Sequence, residues 1–232
     1  MALFDSLLAL QQLDLQIDGA VKQVTLLKTM IADDHVVKEA IQHHQRQARQ
    51  LRDHQLRQRE LEGEIATVTE TIAKDERRLY GPHVTDTKMA AAVEREIVHA
   101  RQQRSEREDL LLLEMEEVDR LTGEEVSLRE TVRQAQTKRA SDVTAWSQQL
   151  QQVEAQVEQL RADRTQKAAT VPGPALEQYE RLRKSKGGRA VSELQGNVCG
   201  ACRVTLSTTT VQRARVSMQF CDNCGRVLYA NR

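Results

Sequence analysis

The sequence predicts a mainly α fold: a long antiparallel coiled-coil hairpin followed by a small C-terminal β domain. Three observations lead there. Of 232 residues, 29% are charged and 3% aromatic, with 10 glycines and 3 prolines, which is the composition of long helices and not of a large packed globule. Apolar residues recur with helical spacing in two long stretches, separated by a single Gly-Pro pair. All four cysteines fall in the last 34 residues, in two closely spaced pairs.

In the first stretch, Leu3, Leu7, Leu10, Ile17, Val21, Val24 and Ile31 alternate spacings of four and three, with Asp14 and Lys28 as polar members of the same seam. The seam returns at Leu61, Ile65, Val68, Ile72 and Leu79. Between Ile41 and Glu60 it thins into Gln, His and Arg, with only Ala48, Leu51 and Leu56 as apolar candidates, so the helix is expected to run through this part poorly packed. Tyr80, Gly81, Pro82 and His83 supply both punctuators at once, which places a reversal near 80–85.

Thr85 or Asp86 is suited to cap the second helix. Its seam runs Val93, Ile97, Ala100, Arg104, Arg107, Leu111, Glu114, Val118, Leu121, Glu125, Leu128, Val132 and Ala135. It then shifts near Arg139 and resumes at Val143, Trp146, Leu150, Val153, Val157 and Leu160, a stutter that locally unwinds a supercoil. Two arms of similar length fold back on each other, each about 120 Å long at about 1.5 Å per residue. The hairpin is therefore assigned to residues 1–170. Pro172 and Pro174 end it, and 171–197 is read as a short helix from Ala175 to Arg183 followed by a mobile basic linker, Lys184 to Arg189. The last segment, 198–232, holds the cysteines.

Cys199-Gly-Ala-Cys202 and Cys221-Asp-Asn-Cys224 each set two thiolates two residues apart, so that a tight turn aims both sulfurs at one ion. Gly200 and Gly225 are expected at positive φ in these turns. The 18 residues between the pairs suit a four-cysteine zinc ribbon holding one structural Zn²⁺. Four thiolates fill a tetrahedral shell, which excludes the open position of a catalytic zinc. A thioredoxin-like redox pair needs a βαβ context that is missing. So short a ribbon has little core, and metal binding and folding should be one equilibrium, with the helices indifferent to the metal.

With hairpin and cysteines in view, the chain resembles a bacterial family of coiled-coil proteins ending in a C4-type zinc ribbon. The resemblance is carried by Leu79 to Lys88 with Glu94 to Ile97, by Glu108 to Val118, by Leu176 to Gly188, and most specifically by Cys199 to Tyr229. Where the family has Leu-Pro after the first knuckle, this chain has Leu206-Ser207. The resemblance implies a non-enzymatic adaptor or chaperone, with protein partners among alternative sigma factors and flagellar or type III secretion components, and with nucleic acid as a further partner.

The residues themselves point to two functional classes. In one the protein is a scaffold, and Leu110, Leu112 and Leu113 form the partner patch, since four consecutive leucines cannot all enter a two-helix seam. In the other the tail binds RNA or DNA. From Val171 to Arg232 there are ten Lys and Arg against four Asp and Glu, and Arg189, Arg203, Arg213, Arg215 and Arg226 are the candidate contacts, with Phe220 and Tyr229 as stacking platforms. Metallation reduces that surplus of six to about +4, a small footprint that favours the scaffold. The six histidines read as solvated or seam-edge groups. No pocket of tuned carboxylates or phosphate loop emerges, so no enzyme activity or small-molecule substrate is expected. The reduced cysteines and the lack of a membrane-spanning run indicate a cytoplasmic protein.

Overall fold

A computed structural model describes residues 2–81 and 86–230. The elements in order are α1 (Ala2–Ala32), α2 (His35–Leu79), α3 (Thr87–Ala169), α4 (Gly173–Ser185), β1 (Val191–Gln195), β2 (Val198–Cys199), α5 (Thr208–Ala214), β3 (Gln219–Phe220) and β4 (Val227–Tyr229). They form two compact units, residues 34–141 and residues 1–33 with 142–232.

The first arm is not one helix. It breaks at Asp33-Asp34, where Asp34 leaves the helical region at φ −116° and ψ 17°. Aspartate is a weak helix former at a helix C-terminus but suits the start of the next one. Asp34 opens α2: its carbonyl accepts from Lys38 N at 3.0 Å and its carboxylate pairs with Lys38 Nζ at 2.8 Å. That hydrogen bond to Lys38 holds the Asp34 carboxyl below its usual range.

In the 34–141 unit, α2 and the first part of α3 run antiparallel, as Glu76 with Arg101, Glu64 with Arg107, His54 with Glu114 and His44 with Glu125 demonstrate. Val37, Ile41, His44, Ala48 and Leu51, then His54, Gln58, Leu61, Ile65, Val68, Ile72 and Leu79, are the less exposed face of α2. The consecutive threes at Ala48, Leu51 and His54 are a stammer in the heptads. Ile72, Val93 and Ile97 form a small apolar core near one end. The polar stretch 41–60, expected to be poorly packed, is instead closed by cross-helix hydrogen bonds. His44 Nε2 meets Glu125 Oε1 at 2.8 Å, His54 Nδ1 meets Glu114 Oε2 at 2.7 Å, and Gln47 donates to Glu124. The α3 seam lies where its spacing puts it, from buried Val93 through half-buried Leu111 and Glu114 to buried Leu121. Asp86 caps α3, its Oδ1 accepting from Lys88 N at 3.1 Å. The reversal placed on Pro82 and His83, and Thr85 as an alternative cap, lie outside the described residues.

In the other unit, α1 packs on the end of α3 with its seam displaced from expectation. Ala20 and Leu27 are buried, while Val21 is 38% exposed and Lys28 pairs with Glu154 at 2.8 Å. Lysine at the seam would be desolvated without gain, so α1 turns by one position and leaves it at the rim. Ala20, Leu27, Val153 and Val157 make the resulting core. Asp14 stays in the seam and is fully buried. It accepts from Arg164 Nε at 2.6 Å and from Tyr179 Oη at 2.6 Å, with Arg183 Nη1 at 3.4 Å. Arg164 also pairs with Glu180, and Arg183 with Asp18 at 2.8 Å. Hydrogen bonding to Asp14 raises Arg164 further above its usual range, and burial together with Asp14 does the same to Tyr179.

The segment expected to be a mobile linker is an ordered turn. Gly187 and Gly188 take φ of 65° and 87°, Gly188 N donates to Arg183 O at 3.0 Å, and Arg226 Nη2 donates to Lys186 O at 3.1 Å. The sheet takes in a strand that precedes Val198, because β1 starts at Val191 and is one of the two inner strands of a four-stranded sheet of order β2-β1-β4-β3. β1 pairs antiparallel with β2 and parallel with β4, Val191 opposite Val227. β2 is too short to reach Val191. Gln11 of α1 replaces it, with Nε2 donating to Val191 O at 3.0 Å and Oε1 accepting from Val191 N at 2.7 Å.

Two outcomes follow. Asp14→Ala leaves Arg164 and Tyr179 facing an empty seam position, and should lower unfolding free energy by about 3–5 kcal/mol in urea titrations; a loss under about 1 kcal/mol would contradict the role given to Asp14. The second concerns acid. His44 foremost, then Arg129, lowers the Glu125 carboxyl below its ordinary 4.5, so the contribution of this pair is present above that pH and fades as pH falls through the lower folded value. Unfolding titrations from neutral to acid pH should therefore show a smaller pH dependence for Glu125→Gln than for the wild type below about pH 4.5.

Candidate metal centre

Each knuckle is built by the same backbone plan. Cys199 N donates to Val204 O at 3.0 Å and Arg203 N to Cys199 O at 2.8 Å; Cys221 N donates to Arg226 O at 2.9 Å and Gly225 N to Cys221 O at 2.7 Å. The positive-φ residue is the one after the second cysteine in both, Gly225 at 70° and Arg203 at 59°. Gly200 is therefore not at positive φ as expected. Its lack of a side chain serves a close approach instead, because a Cβ there would lie 2.7 Å from Glu193 O. Arg203 accepts a left-handed conformation that costs about 1–2 kcal/mol for an L-residue, where glycine would pay none of it.

The four Sγ atoms lie within 4.8 Å of one another, with Cys199 to Cys224 at 3.8 Å and Cys202 to Cys221 at 3.6 Å. A tetrahedron with Zn–S bonds of about 2.3 Å has edges of about 3.8 Å, which these two separations match, so the donor set fits one zinc ion. Burial opposes ionisation of Cys199, but the Ser192 hydroxyl and the amides of Cys202 and Ala201 outweigh it and lower the thiol. The Val204 amide, with Asn223, brings Cys202 down to about 6. Burial pushes Cys221 up to about 12 when no cation is present to offset it. A dication supplies that compensation.

Ser192 was not legible as part of this site. It is buried, accepts from Ala201 N at 2.9 Å and lies 3.2 Å from Cys199 Sγ, so its hydroxyl orients one ligand while holding the first knuckle. It belongs to an alternation in which Val191 and Val227 face the helices, packed with Leu7, Leu10, Val171 and Tyr179, while Leu228 faces the knuckles with Leu206, Val211 and Ala214. Ser207 caps α5 by accepting from Thr210 N at 3.1 Å.

The arginines named from sequence are dispersed in use. Arg189, Arg203, Arg213 and Arg215 are exposed. Arg226 is half-buried and donates from Nε to Arg189 O at 2.8 Å, so its guanidinium holds the turn before β1. Tyr229 is also committed, its hydroxyl donating to Asp5 Oδ1 at 2.9 Å, while Phe220 is 38% exposed. Leu110, Leu112 and Leu113 are 52%, 59% and 63% exposed, and Leu111 alone of the run enters the seam. Among the described residues no helix is long and apolar enough to cross a membrane.

This combination of helical hairpin and C4 ribbon defines a class of zinc-containing coiled-coil proteins. Residues 10–187 match the model of the CT398-like coiled coil hairpin domain and residues 198–228 that of the C4-type zinc ribbon domain, and the chain belongs to the CT398-like family. The ribbon accordingly binds one structural zinc ion. Two Mycobacterium tuberculosis sequences, from strains CDC 1551 and H37Rv, are each 29% identical over 175 residues, covering 72% of this chain and 69% of theirs. Among solved structures, CT398 from Chlamydia trachomatis matches with a TM-score of 0.84 at 20% identity, over 99% of this chain and 98% of that one. A Mycobacterium smegmatis protein matches at 0.67 and 20% identity over the same shares, and HP0958 from Helicobacter pylori at 0.54 and 14% over 98% and 96%. At these identities the structures share the fold.

Because one face of the sheet carries the metal and the other packs on the helices, removing zinc should reach beyond the ribbon, contrary to the expectation that the helices are indifferent. After chelation, or in Cys221→Ser, amide exchange should accelerate in β1 and β4, and also in α4 and the first half of α1. The amides of 40–75 and 93–135 should be unchanged. Unaltered exchange in α1 and α4 would show the ribbon to be a separate folding unit.

Proposed function

We propose that the protein is a non-enzymatic scaffold, an adaptor or chaperone that presents side-chain patches on its hairpin to a protein partner. The observation that supports this most directly is the exposure of three leucines in one short run of α3. Leu110 and Leu113 are three apart on one helix face, with Glu106 and Glu117 completing the row at either end. An apolar pair bracketed by carboxylates suits a partner segment with apolar anchors and basic flanks. The family resemblance directs the search to sigma factors and to secretion or flagellar components. The reduced, metal-binding cysteines are in keeping with a cytoplasmic setting.

A nucleic-acid role for the tail is the second reading, supported by the exposed Arg189, Arg203, Arg213 and Arg215. With Arg226 and Tyr229 committed to internal contacts, fewer groups remain for it than the sequence offers.

Affinity capture from native extract, with and without nuclease, separates the two. The scaffold reading expects nuclease-resistant protein partners that are lost with Leu110→Glu plus Leu113→Glu, while zinc content and melting temperature are retained. Capture that vanishes with nuclease, or that survives the double substitution, would refute the assignment of this patch.

A further inference from the structure

Both halves of a self-complementary surface lie at one height of the hairpin. Residues 46–59 of α2 contain five arginines and one aspartate, and residues 106–119 of α3 contain seven acidic residues and one arginine. The His54–Glu114 contact at 2.7 Å sets the two segments side by side. The charges do not neutralise each other within the chain, because most point away from the seam. Arg52 donates only to Ala48 O of its own helix at 3.2 Å, and Glu108 is paired with Arg104 of its own helix at 3.2 Å. Arg59 and Asp119 have no ion pair among the described residues.

The seam has two flanks, and they can be told apart. Glu76 and Arg101 meet at 2.5 Å on one, Gln47 and Glu124 on the other. Glu108 and Met115 stand seven and fourteen residues after Arg101 and repeat its position, with Leu112 and Asp119 on the same side of α3. On α2, Gln55 stands three heptads before Glu76, and Arg52 and Arg59 are its neighbours at three and four residues, with Leu56 next to it. One flank thus shows an acid-apolar-apolar-acid row on α3 beside a base-apolar-base row on α2. Its apolar members are exposed: Leu56 by 56%, Leu112 by 59% and Met115 by 42%. Leu110 and Leu113 belong to the opposite flank.

We propose that this flank is an isologous interface with a second copy of the chain, in which the arginine and Leu56 row of α2 lies antiparallel on the Leu112 and Met115 row of α3 of the other copy, and the reverse. A two-fold axis along the hairpin superposes unlike helices at the same height, which turns the arrangement of charge in one chain into complementarity between two. The apolar contacts and the ion pairs together supply the attraction, and the ion pairs also fix register and exclude the like-on-like packing. This surface is distinct from the Leu110 and Leu113 row proposed for other proteins, so each can fail without the other.

Sedimentation equilibrium of the full-length, zinc-loaded, nuclease-treated chain at concentrations on the order of 100 µM tests it. At low salt the mass should be that of a dimer, shifting toward monomer at about 0.5 M salt. Arg52→Glu with Arg59→Glu places acid against acid, and Glu108→Arg with Asp119→Arg places base against base. Each double variant alone should dissociate at least about tenfold more readily, and an equimolar mixture of the two should recover the dimer. Misfolded variants could not regain association on mixing, so the mixture is its own control. A monomeric wild type at low salt, variants that associate as the wild type does, a mixture that stays monomeric, or a dimer mass that appears only without nuclease treatment would each overturn the proposal.

Discussion

The carboxylate of Asp14 occupies a seam position where a leucine would ordinarily sit, and it is fully buried. Such a group is tolerated only when its charge and lone pairs are matched. Here the matching groups come from two other elements: Arg164 from α3, Tyr179 and Arg183 from α4. Any displacement of α4 would strand this charge, so α4 is held against α1 and α3 with little freedom. The turn after α4 then delivers β1 to Gln11, one helical turn before Asp14 on α1. The placement of the ribbon on the helices therefore descends from one buried charge and a neighbouring amide side chain. Neither contributes through apolar area, but both require particular partners, which apolar packing alone would not.

The 34–141 unit uses polar groups differently. Its interior contacts from His44 to Glu125 and from His54 to Glu114 are half-buried, and they replace apolar layers over the stretch where the heptads stammer. An apolar seam interrupted by a stammer has several nearly equivalent registers. Pairs with directional hydrogen bonds admit one, in the way that a single polar residue fixes register in other coiled coils. The loss of apolar burial is the cost of that definition.

How much of this was legible in the sequence depended on whether one residue or a relation between residues carried the information. The cysteine ligands, the α3 seam and the helical hairpin are written in local spacing. Asp14 and Glu114 were visible as polar members of a seam, but their partners lie 150 and 60 residues away, and heptad reading names the position without its mate. The break at Asp33-Asp34 carried a signal, two aspartates after an apolar run, but no glycine or proline to announce it. The seam shift from Val21 and Lys28 to Ala20 and Leu27 followed from where a lysine would be desolvated, which requires the neighbouring helix. In the ribbon, a glycine beside a cysteine suggested positive φ at Gly200, whereas the true determinant was proximity to Glu193 O. Ser192 lies seven residues before the first ligand, in a strand that the cysteine spacing does not reach.

Zinc and helix packing meet in β1 and β4, two strands whose opposite faces belong to different cores. The alternation of side chains across a sheet leaves no residue between the Val191 and Val227 face and the Ser192 and Leu228 face to absorb a change. Loss of the metal removes the constraint on both knuckles, and the five residues of β1 and three of β4 have too little ladder to persist alone. Their other face would then leave Leu7 and Leu10 of α1 partly uncovered. The direction also reverses: a helical junction held by Asp14 presents the strands in place, which lowers the ordering cost of closing four thiolates around an ion. A ribbon docked in this way should bind zinc more tightly than the same segment excised, and the source of the difference is the helical core rather than the ligands.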